Sequence, residues 1–116
     1  MGMNGGYIAD VGIGPKLSDA ISGIPKMKKF MIQANPDNVA RVWFGPSIED
    51  VGEGNEVQGD GTNGWFYLGP GQPFYYDAGQ LDNQPSTDNS WLLSIDWGKV
   101  VAIGGEGDKL HIVYLD

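Results

Sequence analysis

The chain has 116 residues, no cysteine, and 15 acidic residues against seven basic ones, a formal net charge of −8. That length suits a single domain, because two would each be too small to bury a useful core, and the lack of cysteine excludes a disulfide scaffold, a thiolate zinc cluster and a cysteine nucleophile. The acidic balance repels phosphate backbones and anionic headgroups, so neither nucleic acid nor a membrane surface is expected as a partner.

In chain order, residues 1–15 hold five glycines and no sustained hydrophobic period. Alone they bury too little to offset the entropy of ordering them. An extended N-terminal arm over residues 1–29, ordered only against a partner, is expected. Gly2, Asn4, Gly5 and Gly6 stand where a secretory leader would place basic and then apolar residues, so no such address is read. Within the first 30 residues four lysines against two aspartates give +2, while three cations against thirteen acids give −10 for the rest. A weakly basic leader ahead of an acidic body suits docking on a negatively charged neighbour. Leu17, Ile21 and Ile24 repeat at helical spacing, predicting a short amphipathic helix ended by Gly23 and Pro25.

From Lys28 the period becomes two, and Phe30, Ile32 and Ala34 predict a half-buried strand over 28–34. Asn35-Pro36-Asp37-Asn38 reads as a turn, followed by a strand from Val39 to Phe44 that is apolar on both faces. Residues 46–63 carry five acids and four glycines and read as a long exposed loop, with a weak strand around Glu56 to Gln58. Trp65–Leu68, Gln72–Tyr76, Ser90–Ile95, Lys99–Ile103 and Lys109–Leu115 complete seven short strands separated by Gly, Pro, Asn and Asp turns. Their spacing, with no helix pattern between them, predicts antiparallel pairing in a sandwich or a small barrel. No apolar run approaches the ~20 residues that a membrane-spanning helix needs, so a soluble chain is expected.

Candidate chemistry is sparse. His111 alternates with apolar neighbours in the last strand, opposite in facing to Ile112, and no serine lies in a G-x-S-x-G context. Acidic pairs such as Glu49 with Asp50 and Glu53 with Glu56 read as solvated charges on the loop rather than as an acid–base pair across a cleft. Asp60-Gly61-Thr62-Asn63-Gly64 clusters oxygen donors and glycines without the spacing of a calcium loop. Neither Gly12-Ile13-Gly14 nor Gly69-Pro70-Gly71 opens a phosphate-binding motif. No catalytic residue, metal or cofactor is expected.

The aromatic residues carry the stronger signal. Because neighbouring strand residues face opposite ways, Trp65-Phe66-Tyr67 and Phe74-Tyr75-Tyr76 each put rings on both faces of a sheet. One set fills the core, and the other needs a second layer, a subunit or a ligand to cover it. Trp43, Trp65, Tyr67, Tyr75, Trp91 and Trp97 are the candidates for such an oligomer or ligand surface.

Asn35-Pro36-Asp37-Asn38-Val39-Ala40-Arg41-Val42-Trp43-Phe44, then Trp65-Phe66-Tyr67-Leu68-Gly69-Pro70-Gly71-Gln72-Pro73-Phe74, then Ser90-Trp91-Leu92-Leu93-Ser94-Ile95, resemble a pattern of small β-sandwich structural proteins of tailed bacteriophages. The resemblance covers about residues 30–116, and residues 1–29 have no counterpart in it. It implies a β-sandwich, jelly-roll or immunoglobulin-like, and a non-enzymatic virion role, with a capsid cement or decoration protein as the leading reading. It further implies the major capsid protein as partner, a homo-oligomer with a trimer favoured, and residence on the capsid surface. On this reading Tyr7, Ile8, Val11, Ile13, Leu17, Ile21 and Ile24 of the leader contact the capsid. The runner-up is a glycan-binding module, or a head-fibre or tail component, with sugars stacked on Trp43, Trp65, Trp91 or Trp97.

Overall fold

The computed structural model describes residues 3–20, 29–77 and 95–115. Among them lie seven strands, β1 Met3–Ile8, β2 Lys29–Ala34, β3 Val42–Gly45, β4 Phe66–Leu68, β5 Pro73–Asp77, β6 Val101–Ile103 and β7 Leu110–Leu115. They form a four-stranded sheet in the order β1-β7-β2-β5 and a three-stranded sheet in the order β4-β3-β6. Every pairing is antiparallel. The fold is all-β and sandwich-like.

Period two in β2 sets the inward face of the larger sheet. Phe30, Ile32 and Ala34 are buried and meet Ile112 and Leu110 of β7 in register, with Tyr76 of β5 opposite Phe30. The smaller sheet supplies Val42, Phe44, Leu68 and Ala102 to the same core. The two layers are joined through rings: Phe66 stacks on Phe44 at 4.9 Å within its own sheet and on Phe74 of the other sheet at 4.8 Å. Offset pairs of this kind add about 0.5–1.5 kcal/mol beyond their burial.

The N-terminal arm expected over residues 1–29 is corrected for residues 3–20. β1 pairs along its whole length with β7, and the segment after it crosses to the other sheet. There the N–H of Gly104 donates to the carbonyl of Val11 at 3.1 Å, that of Ala102 to Pro15 at 2.9 Å, and that of Leu17 to Val100 at 3.0 Å. Ile8, Val11 and Leu17 are buried in the core. Burying each such side chain is worth about 1.5–3 kcal/mol, which offsets the ordering entropy that the glycine content had made look prohibitive. The boundary between an arm and a body at residue 29 therefore falls inside one folded unit. Of the helix expected at Leu17 to Ile24, the described part is a single 3₁₀ turn, Leu17–Asp19, and Ile21 and Ile24 lie outside the described residues.

Other boundaries move for local reasons. The second predicted strand starts at Val42 rather than Val39, because the backbone N–H groups of Val39 and Ala40 are taken by the Asp108 carboxylate, at 3.0 Å each to the nearer oxygen. No strand forms at Glu56 to Gln58. The loop instead makes one helical turn, Ile48–Val51, and buries Val57. Of the strand predicted over Ser90 to Ile95, only Ile95 lies among the described residues, where it packs on the core outside any strand.

Candidate interaction surface

The outward face of the four-stranded sheet is the larger one. Register places Gly5, Val113, Met31 and Tyr75 in one row straight across all four strands, and Tyr7, His111, Gln33 and Pro73 in the next. Tyr75 is 72% exposed and Tyr7 49%. Met31, Val113 and His111 are half-buried by their neighbours. Lys29 and Asp77 pair at 3.9 Å on the same face, so its charges cancel on a chain whose net charge is −8.

Tyr7 and His111 sit ring to ring, with centroids 5.1 Å apart. Behind His111, the Asn35 side-chain amide lies 3.1 Å from Nε2, so the imidazole is held by the turn that follows β2.

The outward face of the smaller sheet is organised differently. Trp43 packs against Tyr67 at 4.9 Å, and the Arg41 guanidinium lies 4.4 Å from the Tyr67 ring centre. The loop after β3 folds back over Trp43. A Cβ built on Gly61 would come within 2.6 Å of the indole and one on Gly64 within 2.9 Å, so only glycine lets the loop lie that close. Trp65, 40% exposed, and Tyr67, 42% exposed, form the remaining ring surface of that side.

In the acidic loop Asp60 and Glu56 serve the loop's own turns, while Glu49 and Asp50 reach lysines outside it. Asp60 accepts the Thr62 N–H at 2.9 Å, and the bonds from Thr62 backbone and hydroxyl hold its carboxyl below the ordinary range. Glu56 is lowered too, by its own backbone amide first and then by the Gln58 side chain, which donates at 2.9 Å. Glu49 pairs with Lys16, and Asp50 lies 3.9 Å from Lys99. Among the described residues no group of three or more His, Asp and Glu side chains is placed to hold a metal ion. No helix among them is long and apolar enough to cross a membrane.

Set against the candidates from the sequence, the surface residues divide. Tyr75, Tyr67 and Trp65 face outward, with Trp43 half-covered by its loop. Trp97 is corrected: it is 3% exposed, in a 3₁₀ turn that drives its ring edge-on into Phe30 at 4.9 Å and against Tyr76 at 5.2 Å. Of the proposed capsid contacts, Ile8, Val11 and Leu17 are corrected as core residues, while Tyr7 and Ile13 are exposed, Ile13 by 79%. Trp91 lies outside the described residues. Sequence reasoning passed over Gly5, Met31 and Val113. Alternation places Met31 and Val113 opposite buried neighbours, and that signal was available, whereas the role of Gly5 required β1 to be recognised as a strand.

No family model, no curated protein and no solved structure matches this chain.

Proposed function

We propose that this protein is a non-enzymatic assembly subunit of a tailed-bacteriophage virion, a cement or decoration protein that associates with itself and with the major capsid protein on the capsid surface. The observation that carries the reading is the apolar surface left over once one core is filled. Tyr7, Trp65, Tyr67 and Tyr75 all point outward, from two different sheets. Large rings left exposed on both outer faces of a small domain are the surplus that this reading assigns to partners. The resemblance of the Asn35–Phe44 and Trp65–Phe74 segments to virion sandwich proteins supports the identity of the partner.

The glycan reading draws less support. Of its four tryptophans Trp97 is in the core, and the exposed ring of Tyr67 already has Arg41 stacked over it. Trp65 is the described tryptophan with the most open ring.

The test is sedimentation of the purified protein with empty shells assembled from phage major capsid protein. Saturable co-sedimentation with a fixed stoichiometry is the expected result. Absence of shell binding, together with saturable glycan binding lost in Trp65→Ala, would replace the assembly reading with the recognition one.

A further inference from the structure

We infer that the outer face of the four-stranded sheet is a self-association surface that stacks on the same face of a second copy, about a two-fold axis running parallel to the strands between β7 and β2. This inference rests on the assembly reading and names one of its contacts.

The argument starts from the central row. It runs Gly5, Val113, Met31, Tyr75 from one edge of the sheet to the other. A two-fold axis along the strands reverses left and right while keeping each row level. Tyr75 of one copy then falls over Gly5 of the other, and Val113 over Met31. The largest projecting ring of the face, 72% exposed, meets the position with no side chain. The space there is open: a Cβ on Gly5 meets only the Ile112 carbonyl oxygen, at 3.7 Å. In the next row the same operation sets Tyr7 over Pro73 and His111 over Gln33. An isologous contact needs a patch that is complementary to itself, and ring-over-gap pairing at both ends supplies that twice.

Charge permits a second copy there, and the self-complementary register is what selects it as the occupant. Each molecule carries −8, so two bodies repel overall, and the contact adds least to that repulsion where local charge cancels, as it does here with Lys29 and Asp77 paired at 3.9 Å. Four strands about 4.8 Å apart and six residues of about 3.3 Å give a footprint of about 400 Å² per copy. Two copies then cover about 800 Å², below the usual 1,200–2,000 Å² of stable complexes, so the association is concentration-dependent. Face-to-face stacking produces a pair, in contrast to the trimer that the phage resemblance implies.

The experiment is analytical ultracentrifugation of the full chain over a wide concentration range. A monomer–dimer equilibrium is expected for the native protein. Because the bodies repel while the face is neutral, it tightens as ionic strength rises from about 0.01 M to about 0.15 M and the Debye length shrinks from about 30 to about 8 Å. Gly5→Ile fills the gap on an exposed strand position whose φ is not left-handed. It raises the dimer dissociation constant at least tenfold with an unchanged or higher Tm, and Tyr75→Ser raises it at least tenfold as well. Tyr67→Ser, on the other sheet, leaves it unaltered. A native chain that stays monomeric, a trimer, or a dimer indifferent to Gly5→Ile each overturns the inference. Shell binding by a strictly monomeric native chain overturns it while leaving the capsid-binding part of the assembly reading intact, and failure of both assays removes both.

Discussion

Asn35 donates its side-chain amide to Nε2 of His111 across the end of the larger sheet, at 3.1 Å. The orientation is set by the turn, because the Asn35 carbonyl oxygen already accepts the Asp37 N–H at 2.8 Å. Nε2 must therefore accept, and the ring proton resides on Nδ1. Long-range ¹H–¹⁵N correlation on the neutral imidazole is expected to show Nε2 without a proton. Asn35→Ala frees both partners and costs about 1 kcal/mol, and a protonated Nε2 in the native protein would contradict the arrangement.

Asp108 carries a heavier structural load. It is 5% exposed, and its carboxylate takes the backbone amides of Val39 and Ala40. Close by, the Asn38 side chain pairs with Lys109 through both its oxygen and its nitrogen, at 2.7 and 2.9 Å. Asp108→Ala leaves two amides without their acceptor. Water reaches them in part, since Val39 and Ala40 are exposed, so the expected loss is about 2–3 kcal/mol in urea unfolding. Asp108→Asn retains one acceptor and loses less. A loss under about 0.5 kcal/mol for the alanine variant would show that the 38–41 segment is held by other contacts.

Fold class was legible because most strands keep a strict alternation. β2, β5 and β7 fall within a residue or two of the predicted runs, and the split of Phe74-Tyr75-Tyr76 into inward, outward and inward rings follows from period two alone. β1 was not legible. Its sequence puts Gly5 on the outward face and Gly6 on the inward face, so no periodic signal remains, and its ladder is supplied by β7, more than a hundred residues away in the chain. Val39 to Arg41 failed for the opposite reason: a good strand pattern was overridden when a distant carboxylate captured two of its amides. Trp97 sits in a turn, and turns read as surface. Only the ring pocket formed by Phe30, Phe74 and Tyr76 draws it inside.

Acid sensitivity follows from three carboxylates. Asp10 is held below its ordinary 3.8 by the Gly107 and Gly12 amides, which it accepts at 2.8 Å each. Asp60 and Glu56 are lowered as well, in the acidic loop. A depressed folded pKa contributes stability that is present above the unfolded value and is lost as pH falls through the folded one. Unfolding midpoints are therefore expected to hold from neutrality to about pH 4.5 and to drop below about pH 4. Asp10→Asn makes that drop shallower. At the other end, burial pushes the Tyr76 phenol above 10, with the Trp97 side chain pulling the other way. Stability is then complete below pH 10 and declines above it, and Tyr76→Phe removes that part of the alkaline decline. An acid limb equally steep in Asp10→Asn would detach the effect from the contact between residues 10 and 107.

The fit of the loop over Trp43 gives the sharpest packing test. Gly61 sits at φ +95°, and an added Cβ would lie 2.6 Å from the indole. The loop is tied down on both sides of Gly61, because the Val57 N–H donates to the Pro46 carbonyl at 3.1 Å and the Trp65 N–H to the Phe44 carbonyl at 2.8 Å. Gly61→Ala therefore combines a strained backbone with overpacking, a cost of about 2–4 kcal/mol. Trp43→Phe alone shortens the ring and loses packing. In the double variant the smaller ring makes room for the methyl group, so the two losses add to less than their sum by about 1 kcal/mol, as contacting residues do. Strict additivity in that cycle, or a Gly61→Ala protein as stable as the native one, would mean that the loop does not rest on the indole. Trp43 would then rejoin the exposed rings of the smaller sheet.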